Sequence, residues 1–184
     1  MNYDNEFWDK YASENESRFN PEFSKFVMDL ATSLRCKSVL EIGCGTGIDL
    51  RLFPETFDVH GVDLNDMALE NAQKLPFVKL KKASIIDLPF KDSSIDFVFT
   101  HQLLNYLDDD TLEKGVSEMY RVAGKYIMNC EKYEESEKQI DENSKFRNMQ
   151  KRWQDYKVRI VSNVDMHEQI EPDKSRFTLL RKLS

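Results

Sequence analysis

The segment 39–47 constrains the fold of this chain more than any other part of its sequence. An apolar strand, Val39-Leu40-Glu41-Ile42, runs directly into the glycine-rich turn Gly43-Cys44-Gly45-Thr46-Gly47. Glycine lets the backbone turn tightly and approach a ligand with no Cβ in the way. In open α/β sheets such a turn lies at the carboxyl edge, where ligands bind. The spacing G-x-G-x-G differs from the G-x-G-x-x-G of dinucleotide oxidoreductases. The glycines alone are equally compatible with a plain connection between a strand and a helix.

Short apolar runs alternate with helical segments up to residue 130. The apolar runs cover residues 38–42, 59–64, 78–83, 95–100 and 126–130. The spacing of apolar residues predicts helices near 6–15, 21–35, 47–53, 66–75 and 109–121. Strands separated by helices in this order predict a parallel sheet that is covered on both faces.

The sequence changes character after residue 130. Residues 131–143 are densely charged and predict a solvated loop or an exposed helix, and an apolar stripe at helical spacing follows within 144–156. Two strand-like segments, 157–166 and 176–183, are separated by a polar stretch long enough for a hairpin turn. The predicted fold class is therefore α/β, with a doubly wound, seven-stranded, mostly parallel sheet, a C-terminal antiparallel hairpin and helices on both faces.

Length and charge argue against several classes of protein. A chain of 184 residues suits one compact domain, residues 1–184. The formal net charge of −7 argues against a nucleic-acid partner, because a duplex-binding surface needs clustered basic residues. The N-terminus is polar and acidic, unlike a signal peptide, and no apolar run approaches the ~20 residues of a membrane span. We therefore expect a cytoplasmic protein without membrane contact, and its oligomeric state is left open.

The cysteines and histidines are scattered along the chain. They are Cys36, Cys44, Cys130, His60, His101 and His167. No pair has the close spacing of a zinc site, so we expect reduced thiols and no metal. Cys44 lies inside the glycine turn, where we expect a small space-filling residue rather than a nucleophile.

An acidic residue ends the second predicted strand, in Gly61-Val62-Asp63-Leu64. A carboxylate at this place can accept hydrogen bonds from both hydroxyls of a ribose, as the analogous acid does in dinucleotide-binding folds. The alternative is an aspartate that caps the next helix, but Asn65 or Asp66 can take that role. Asp63 is therefore a candidate nucleoside-binding residue.

In combination these motifs resemble those of the class I (seven-stranded, Rossmann-like) S-adenosylmethionine (SAM)-dependent methyltransferases. Glu41-Ile42-Gly43-Cys44-Gly45-Thr46-Gly47 is similar to the family's first motif, which lies under the methionine part of SAM. Asp63 matches the ribose-binding acid. Asp87-Leu88-Pro89-Phe90, followed by Ser94-Ile95-Asp96-Phe97-Val98, resembles the segment between the third and fourth strands. The resemblance covers residues 6–130 in order, and the C-terminal hairpin also fits it.

The resemblance implies SAM as the cofactor and S-adenosylhomocysteine (SAH) as its product. The implied cofactor-binding residues are Glu41, Gly43, Cys44, Gly45, Asp63, Leu64, Ser84, Ile85, Thr100 and Tyr11. One position departs from the family pattern, since many members have an aspartate for the adenine amino group where this chain has Ser84. A hydroxyl still accepts a hydrogen bond, and Ile85 is expected to pack against the adenine.

Thr100-His101-Gln102 follows the fourth predicted strand, where the chain of this family faces the methionine and the acceptor. His101 is the leading candidate for catalysis, because an imidazole whose pKa lies near neutrality can act as a general base. The alternative is that His101 lines the pocket or hydrogen-bonds a neighbour. Asn105 and Tyr106 follow one turn later and are further candidates for contacting the acceptor.

The N-terminal region 1–35 is expected to be a helical lid. Phe7, Trp8 and Tyr11 lie on one side of its first predicted helix. An aromatic face attracts a cation such as a sulfonium, and a closed lid excludes water. The alternative is that this aromatic stripe belongs to the core.

The segment 131–156 is the variable region expected on the acceptor side. Its basic residues Lys145, Arg147, Lys151 and Arg152 form either a solvated helix face or an anion-binding rim for a phosphorylated or carboxylated acceptor. Three short runs are faintly similar to methylases associated with pseudaminic-type sugar biosynthesis. They are Tyr120-Arg121-Val122, Lys125-Tyr126-Ile127 and Glu131-Lys132-Tyr133.

The predicted function is the transfer of a methyl group from SAM to a small-molecule acceptor, with a sugar as one candidate. The lack of an added substrate domain favours a small acceptor over a folded protein or RNA. Two alternatives stay open. One is an aminopropyl-type transferase on the same fold, and the other is a SAM-binding module without catalysis.

Overall fold

The computed structural model describes residues 5–14, 19–72, 75–172 and 174–183. The helices in this part of the chain are α1 (Asn5–Ser13), α2 (Pro21–Ser33), α3 (Asp66–Ala72), α4 (Asp109–Val122) and α5 (Met149–Arg152), with 3-10 helices at Ile48–Leu50 and Leu104–Tyr106. The strands are β1 (Ser38–Ile42), β2 (Asp58–Asp63), β3 (Val78–Lys82), β4 (Ile95–His101), β5 (Ala123–Lys132), β6 (Val158–Asp165) and β7 (Ser175–Lys182).

The seven strands of the described residues form one sheet in the order β3-β2-β1-β4-β5-β7-β6. Strands β1 to β5 pair in parallel, whereas β7 is antiparallel to both β5 and β6. The predicted fold class is confirmed. The strand order reverses between β1 and β4, and open α/β sheets bind ligands beyond the carboxyl ends of the strands at such a point. The fold therefore directs the search for a site to the chain that follows Ile42 and His101.

Apolar side chains cover both faces of this sheet. Alternate residues of β4 point to opposite sides, so that Phe97 and Phe99 join one core cluster and Val98 joins the other. One cluster contains the buried face of α2, and the second contains α4 together with Trp153. Because the central strands are buried on both faces, their sequences are continuous apolar runs rather than alternating ones.

Helix α2 begins where the sequence predicts. The Asn20 side chain accepts hydrogen bonds from the backbone N–H groups of Glu22 and Phe23, and Pro21 takes the first helical position. This is the usual arrangement of a capped N-terminus. The helix buries Phe23 and Val27 against the sheet, and Phe23 thereby reaches the end of β4.

The helix predicted over 47–53 is wrong in length. The structure has only the 3-10 helix Ile48–Leu50, which begins at Gly47 in a left-handed conformation. Pro54 follows Phe53, and a proline disfavours helical backbone at the residue before it. Since this helix is so short, a ligand bound at the glycine turn cannot depend on a helix N-terminus for anion binding.

The helix predicted from the apolar stripe in 144–156 is also largely wrong. Only Met149–Arg152 is helical, with the Asn148 side chain as its cap. The backbone N–H groups of Lys145, Phe146 and Arg147 instead bind carbonyl oxygens of distant residues. Side-chain spacing cannot reveal that these backbone groups are used in tertiary contacts, which is why the pattern was misleading.

The strand boundaries otherwise lie within three residues of the prediction, and β5 begins early because α4 leads into it directly at Ala123. The predicted ends of two helices, at Asn15 and at residues 73–74, lie outside the described residues. Within the described part of the chain, no helix has the length and apolar character to cross a membrane.

Candidate cofactor and active site

The glycine turn after β1 has the conformation that its residues suggest. Gly43 and Gly45 both have positive φ, of 74° and 51°, a region that glycine enters without the steric cost borne by other residues. A Cβ at Gly43 would also lie 2.8 Å from the side chain of Leu103. The N–H groups of Gly43 and Cys44 both bind the carbonyl of Val62. The turn is therefore held against the end of β2.

Cys44 fills space inside this turn. Its sulfur lies 2.8 Å from the position that a Cβ would take at Gly61, and the residue is buried in the core. Burial raises the pKa of the Cys44 thiol well above its ordinary value, which disfavours the thiolate that a nucleophile needs. The geometry supports a packing residue.

Asp63 ends β2 and faces the glycine turn. One carboxylate oxygen accepts a hydrogen bond from the Gly45 N–H at 2.8 Å, and the other accepts from the Asn65 N–H at 2.8 Å. The following helix is capped by Asn65, whose side-chain oxygen accepts from the Ala68 N–H. Asp63 is therefore not the helix cap, and its remaining lone pairs are available at the wall of a cavity.

A cavity of about 870 Å³ opens at this edge of the sheet, within the size range of small-molecule sites. Of the predicted site residues, those in its wall are Glu41, Gly43, Cys44, Gly45, Asp63, Leu64, Ile85, His101 and Tyr11. Ser84 and Thr100 do not line it. The structure thus brings together residues from five separate parts of the sequence.

Ser84 lies beside the cavity rather than in its wall. It forms a bridge with Asp87, whose N–H binds the Ser84 carbonyl at 3.0 Å. Ile85 lines the cavity and is buried against Gly115 of α4. The turn over 87–90 is anchored by Arg121, which binds the carbonyls of Leu88 and Phe90. Of these two residues, only Ile85 faces the cavity.

Thr100 points away from the cavity, in contrast to its predicted role. It is fully buried, donates to the Glu131 carboxylate at 2.9 Å and accepts from the Asn129 side chain at 2.9 Å. The chain of hydrogen bonds continues from Trp153, whose indole N–H donates to Asn129. The second Glu131 oxygen accepts from the Leu104 N–H. This network fixes the backbone that follows β4.

Glu131 makes the stability of the protein depend on pH. Burial raises the pKa of Glu131 to about 7, against its ordinary value of 4.5, although the donors Thr100 and Leu104 partly oppose the shift. Below pH 4.5 the carboxyl is neutral in both states. As the pH rises toward 7 the unfolded chain ionises first, so the free energy of unfolding falls by roughly 2–3 kcal/mol. Urea denaturation of wild type and Glu131→Gln at pH 4.5, 6 and 8 measures the free energy of unfolding. Between pH 4.5 and 8 we expect it to fall by roughly 2–3 kcal/mol more in the wild type than in the variant. A constant difference across this range would contradict it.

His101 is held between two carboxylates. Its Nδ1 lies 2.7 Å from Asp49 and its Nε2 lies 2.7 Å from Glu171. The ring stacks on Phe23 at a centroid distance of 3.7 Å. Burial by itself would lower the pKa of His101, but Asp49 and Glu171 outweigh it and raise the pKa well above 6.5. An imidazolium with both N–H groups donating has no lone pair to accept a proton, so this arrangement favours a positioning role over a general base.

We expect His101 to carry protons on both ring nitrogens at pH 7.5, and NMR of its nitrogen-15 resonances reports this directly. The stability that the pair of carboxylates gives is present below pH 6.5 and is lost as the pH rises through the folded-state pKa. Glu171→Gln removes one charge and should move the titration of His101 toward neutrality. A wild-type His101 with a single ring proton at pH 7.5 would show that the assignment is wrong.

Asp49 and Glu171 escaped the sequence analysis, and Gln102 was named there only as a neighbour of His101. Asp49 follows the glycine turn by two positions, so an acidic residue in a cofactor turn was an available signal. Glu171 lies 70 positions after His101 and nothing in the sequence joins the two. Gln102 has a left-handed backbone, with φ of 50°, and its amide donates to Glu171 at 3.4 Å. Together they attach the loop between β6 and β7 to the cavity.

Glu41 is an unusual residue for the end of a buried strand. It is 2% exposed, and within the described residues its Oε2 has no hydrogen-bond partner. Asp49 Oδ1 is similarly buried and unpartnered. Burial, and then the charge of Asp49, raise the pKa of Glu41 well above its ordinary value. A proton on Glu41 can be shared with Asp49, and the remaining lone pairs of these two carboxyl groups in the cavity wall fit a ligand that carries donors there, as the SAM ammonium group does.

Helix α1 extends across the cavity mouth. Trp8 and Tyr11 line the cavity, while Phe7 does not. On one side Asp9 accepts a hydrogen bond from Asn65 at 2.7 Å. On the other side Trp8 packs edge-on against Tyr106 at a centroid distance of 5.3 Å. The helix is thus attached to both rims.

The remaining acceptor-side candidates lie elsewhere. Asn105 is buried, and its amide binds the backbone of Lys132 and Lys145. Tyr106 lies under the rings of α1. The basic residues Lys145, Arg147, Lys151 and Arg152 all form ion pairs with acidic side chains. Lys151 lies on the exposed face of α5, as the solvated-face alternative expects, whereas Arg147 is fully buried. No described residue of 131–156 lines the cavity.

Comparison with known proteins points to one family. Residues 39–125, just under half of the chain, match the family described as a methyltransferase domain. The glycine turn, Asp63 and Ile85 all fall inside that range. The chain is therefore similar to the SAM-dependent methyltransferases over this segment, and SAM is the cofactor that the similarity implies.

Individual relatives are similar over part of their length. The chain is 28% identical to the O-methyltransferase rstn1 of Aspergillus nomiae over 113 residues, which is 56% of this chain and 50% of that protein. It is 35% identical to glycine N-methyltransferase of Oryctolagus cuniculus over 68 residues, which is 36% of this chain and 23% of that protein. The chain spans half or less of the length of the curated relatives that it matches.

A solved structure shares the fold over almost the whole chain. It is phosphoethanolamine N-methyltransferase 1 of Haemonchus contortus in complex with phosphoethanolamine and SAH. The TM-score is 0.76 at 19% identity, with 96% of this chain and 47% of that chain covered. At this identity the likeness concerns the fold.

Proposed function

We propose that this domain transfers a methyl group from SAM to a small-molecule acceptor and releases SAH. The observation that carries the proposal is the cavity at the reversal of strand order, where Asp63, Ile85 and the orphaned oxygen of Glu41 line one continuous wall. A ribose acceptor, an apolar surface for a base and a buried carboxylate for an ammonium group match the three parts of SAM. The match of residues 39–125 to a methyltransferase domain supports this arrangement.

The chain's own residues would hold the cofactor from three sides. Gly43 and Gly45 allow the backbone to approach the methionine part, and Asp63 would accept the ribose hydroxyls. Ile85 would pack on the adenine. The buried carboxyl group of Glu41 would face the ammonium group together with Asp49. In this proposal Leu64 and Cys44 contribute apolar surface to the wall.

SAM supplies a methyl group that is already activated as a sulfonium, so the protein's task is alignment and the exclusion of water. Holding the acceptor in line with the methyl group can supply about 7–11 kcal/mol of the barrier. Leu103 and Leu107 form an apolar part of the wall. His101 would position this wall by joining Asp49 to Glu171 and would take no proton from the acceptor.

The organisation of the domain is part of the proposal. Residues 1–184 would act as one domain in which region 1–35 is the lid, with Trp8 and Tyr11 over the cofactor. Segment 131–156 would act on the acceptor side indirectly, because Asn105 and Arg147 connect it to the 3-10 helix Leu104–Tyr106 behind the cavity wall.

The acceptor is proposed to be a small molecule. Helix α1 and the loop that joins β6 to β7 both line the cavity, and both are short elements. The relatives include an O-methyltransferase and an N-methyltransferase, so the family alone leaves the nucleophile open. The proposal of a sugar acceptor is supported only by the short sequence runs near 120–133.

The test is titration calorimetry with SAM, SAH and decarboxylated SAM, followed by mass spectrometry of small molecules incubated with SAM and the protein. We expect SAM and SAH to bind and a metabolite to gain 14 mass units, the difference between H and CH₃. Tighter binding of decarboxylated SAM would indicate an aminopropyl-type transferase. Binding of SAM with no turnover on any acceptor would favour a module without catalysis, and failure to bind SAM would exclude the proposal.

A further inference from the structure

The acidic character of the cavity wall bears on the identity of the acceptor. Five carboxylates line the cavity, those of Glu41, Asp49, Asp63, Glu168 and Glu171, and the only cationic side chain among its described lining residues is His101. No lysine or arginine of the described residues lines it. The basic side chains of segment 131–156 are engaged in ion pairs elsewhere.

The negative charges of Asp49 and Glu171 are balanced by the protein and by the cofactor. His101 lies between Asp49 and Glu171 and balances one of their two charges. SAM has a net charge of +1, from a sulfonium, an ammonium and a carboxylate, and it balances the other at the orphaned Asp49 Oδ1 and Glu41 Oε2. Asp63 is hydrogen-bonded by backbone N–H groups and faces the ribose.

This balance leaves two carboxylates without a compensating charge, Asp63 and Glu168, and of these Asp63 is hydrogen-bonded by backbone N–H groups. Glu168 lies on the loop between β6 and β7, lines the cavity and is exposed. Within the described part of the chain it has no ion-pair or hydrogen-bond partner. Its loop is held in place, because the Asn20 side chain donates to the Ile170 carbonyl at 2.6 Å and Glu171 binds His101. Glu168 is therefore a fixed, uncompensated negative charge at the mouth of the cavity.

Three aromatic side chains also line the cavity. Trp8 and Tyr11 do so from α1, and Phe19 does so from the segment before α2, where the Arg51 guanidinium lies 5.2 Å from its ring centroid. The faces of Trp8 and Tyr11 attract cations and give nothing to an anion. Burying an anion beside uncompensated carboxylates would be costly, since neither ion would be paired.

We propose that the acceptor is an amine, protonated in solution and without a phosphate or carboxylate group, and that Glu168 recognises it. This inference rests on the proposed methyltransferase function. The ammonium group gives one proton to solvent at the cavity mouth. The nitrogen lone pair then forms the bond to the methyl carbon, the bond from that carbon to sulfur breaks, and its electron pair stays on sulfur. The methylated ammonium product and neutral SAH sulfur balance the charge.

The test uses three probes of similar size, 2-phenylethylamine, 2-phenylethanol and phenylacetate, titrated into the protein saturated with SAH. We expect the amine to bind more than about tenfold tighter than phenylacetate, with the alcohol between them. Glu168→Gln should reduce the preference for the amine over the alcohol by about fivefold, the size of an exposed ion pair. Glu168→Lys should turn the preference toward phenylacetate. Glu113→Gln, on the exposed side of α4, is the matched control and should change nothing.

SAH binding is measured first for every variant, so that loss of the cofactor counts against the proposed function and not against the acceptor class. An SAH-loaded protein that binds the amine no better than phenylacetate, including one that binds neither, would overturn the inference. An unchanged preference in Glu168→Gln would overturn the role of that residue. Transfer of radiolabelled methyl to the amine but not to the alcohol would support both.

Discussion

Replacing Asp63 with alanine is expected to weaken SAH binding by about a hundredfold to a thousandfold, which corresponds to about 3–4 kcal/mol. Two effects add. The Gly45 N–H loses its acceptor at 2.8 Å, so the glycine turn is no longer fixed from this side. The ribose hydroxyls also lose a charged acceptor, and hydrogen bonds to charged groups are the strong ones.

Two further variants separate these effects in the same calorimetric titration. Asp63→Asn keeps an oxygen for the Gly45 N–H and loses only the charge, so we expect an intermediate loss of about tenfold. Asp58→Ala lies at the other end of β2, where its partner is Lys79 on the surface, and should leave SAH affinity unchanged. An Asp63→Ala protein that melts like wild type and binds SAH equally well would show that another group holds the ribose.

Replacing Arg147 with methionine is expected to lower the free energy of unfolding by about 3–5 kcal/mol, the cost of breaking a buried ion pair. The Arg147 side chain is fully buried and binds the carboxylates of Asp109 and Glu137. It also donates to the carbonyl oxygens of Leu104 and Leu107. Methionine matches the aliphatic part of arginine but removes the donor to the Leu104 and Leu107 carbonyls. Asp109 and Glu137 would keep Arg152 as a partner but lose the buried cation between them.

Urea denaturation monitored by Trp153 fluorescence measures this loss, with Lys151→Met as the control. Lys151 pairs with Glu135 on the surface, where both side chains are more than half exposed. Exposed pairs of this kind contribute about 0–1 kcal/mol. Equal losses in the two variants would mean that the buried network around Arg147 contributes no more to stability than a surface contact.

The side of the cavity that the strand ends form was predictable because its signals are local. The glycine turn, Asp63 and Ile85 each lie within a few residues of a strand end, and parallel strands bring their carboxyl ends to one edge. These residues are far apart in sequence, and the alternation of strands and helices already predicts the topology that brings them together. The strand bounds followed from the same alternation.

The acceptor half was not predictable, because it depends on contacts between distant residues. No residue near His101 in sequence indicates a contact with Glu171. That contact favours a protonated imidazole that joins two carboxylates over a general base. Thr100 illustrates a second limit. A residue at the right strand end can point to either face, and here the buried Glu131 draws its hydroxyl away from the cavity.

The basic residues near 145–152 show how charge patterns mislead. In the sequence they suggest a surface helix or an anion rim, whereas Arg147 is one of the most buried side chains in the protein. A run of charges carries no information about whether its partners are water, a ligand or other side chains. Only the positions of Asp109 and Glu137 settle that.

The place of β7 in the sheet also governs the order of events during folding. β7 follows β5 and β6 in sequence, yet it lies between them. Until β7 docks, β6 lacks the strand with which it pairs in the described sheet, and β5 has an open edge. Unpaired edges are the surfaces through which unfinished chains associate. A folding chain in which β7 has not yet docked is therefore most exposed to self-association through these two strands.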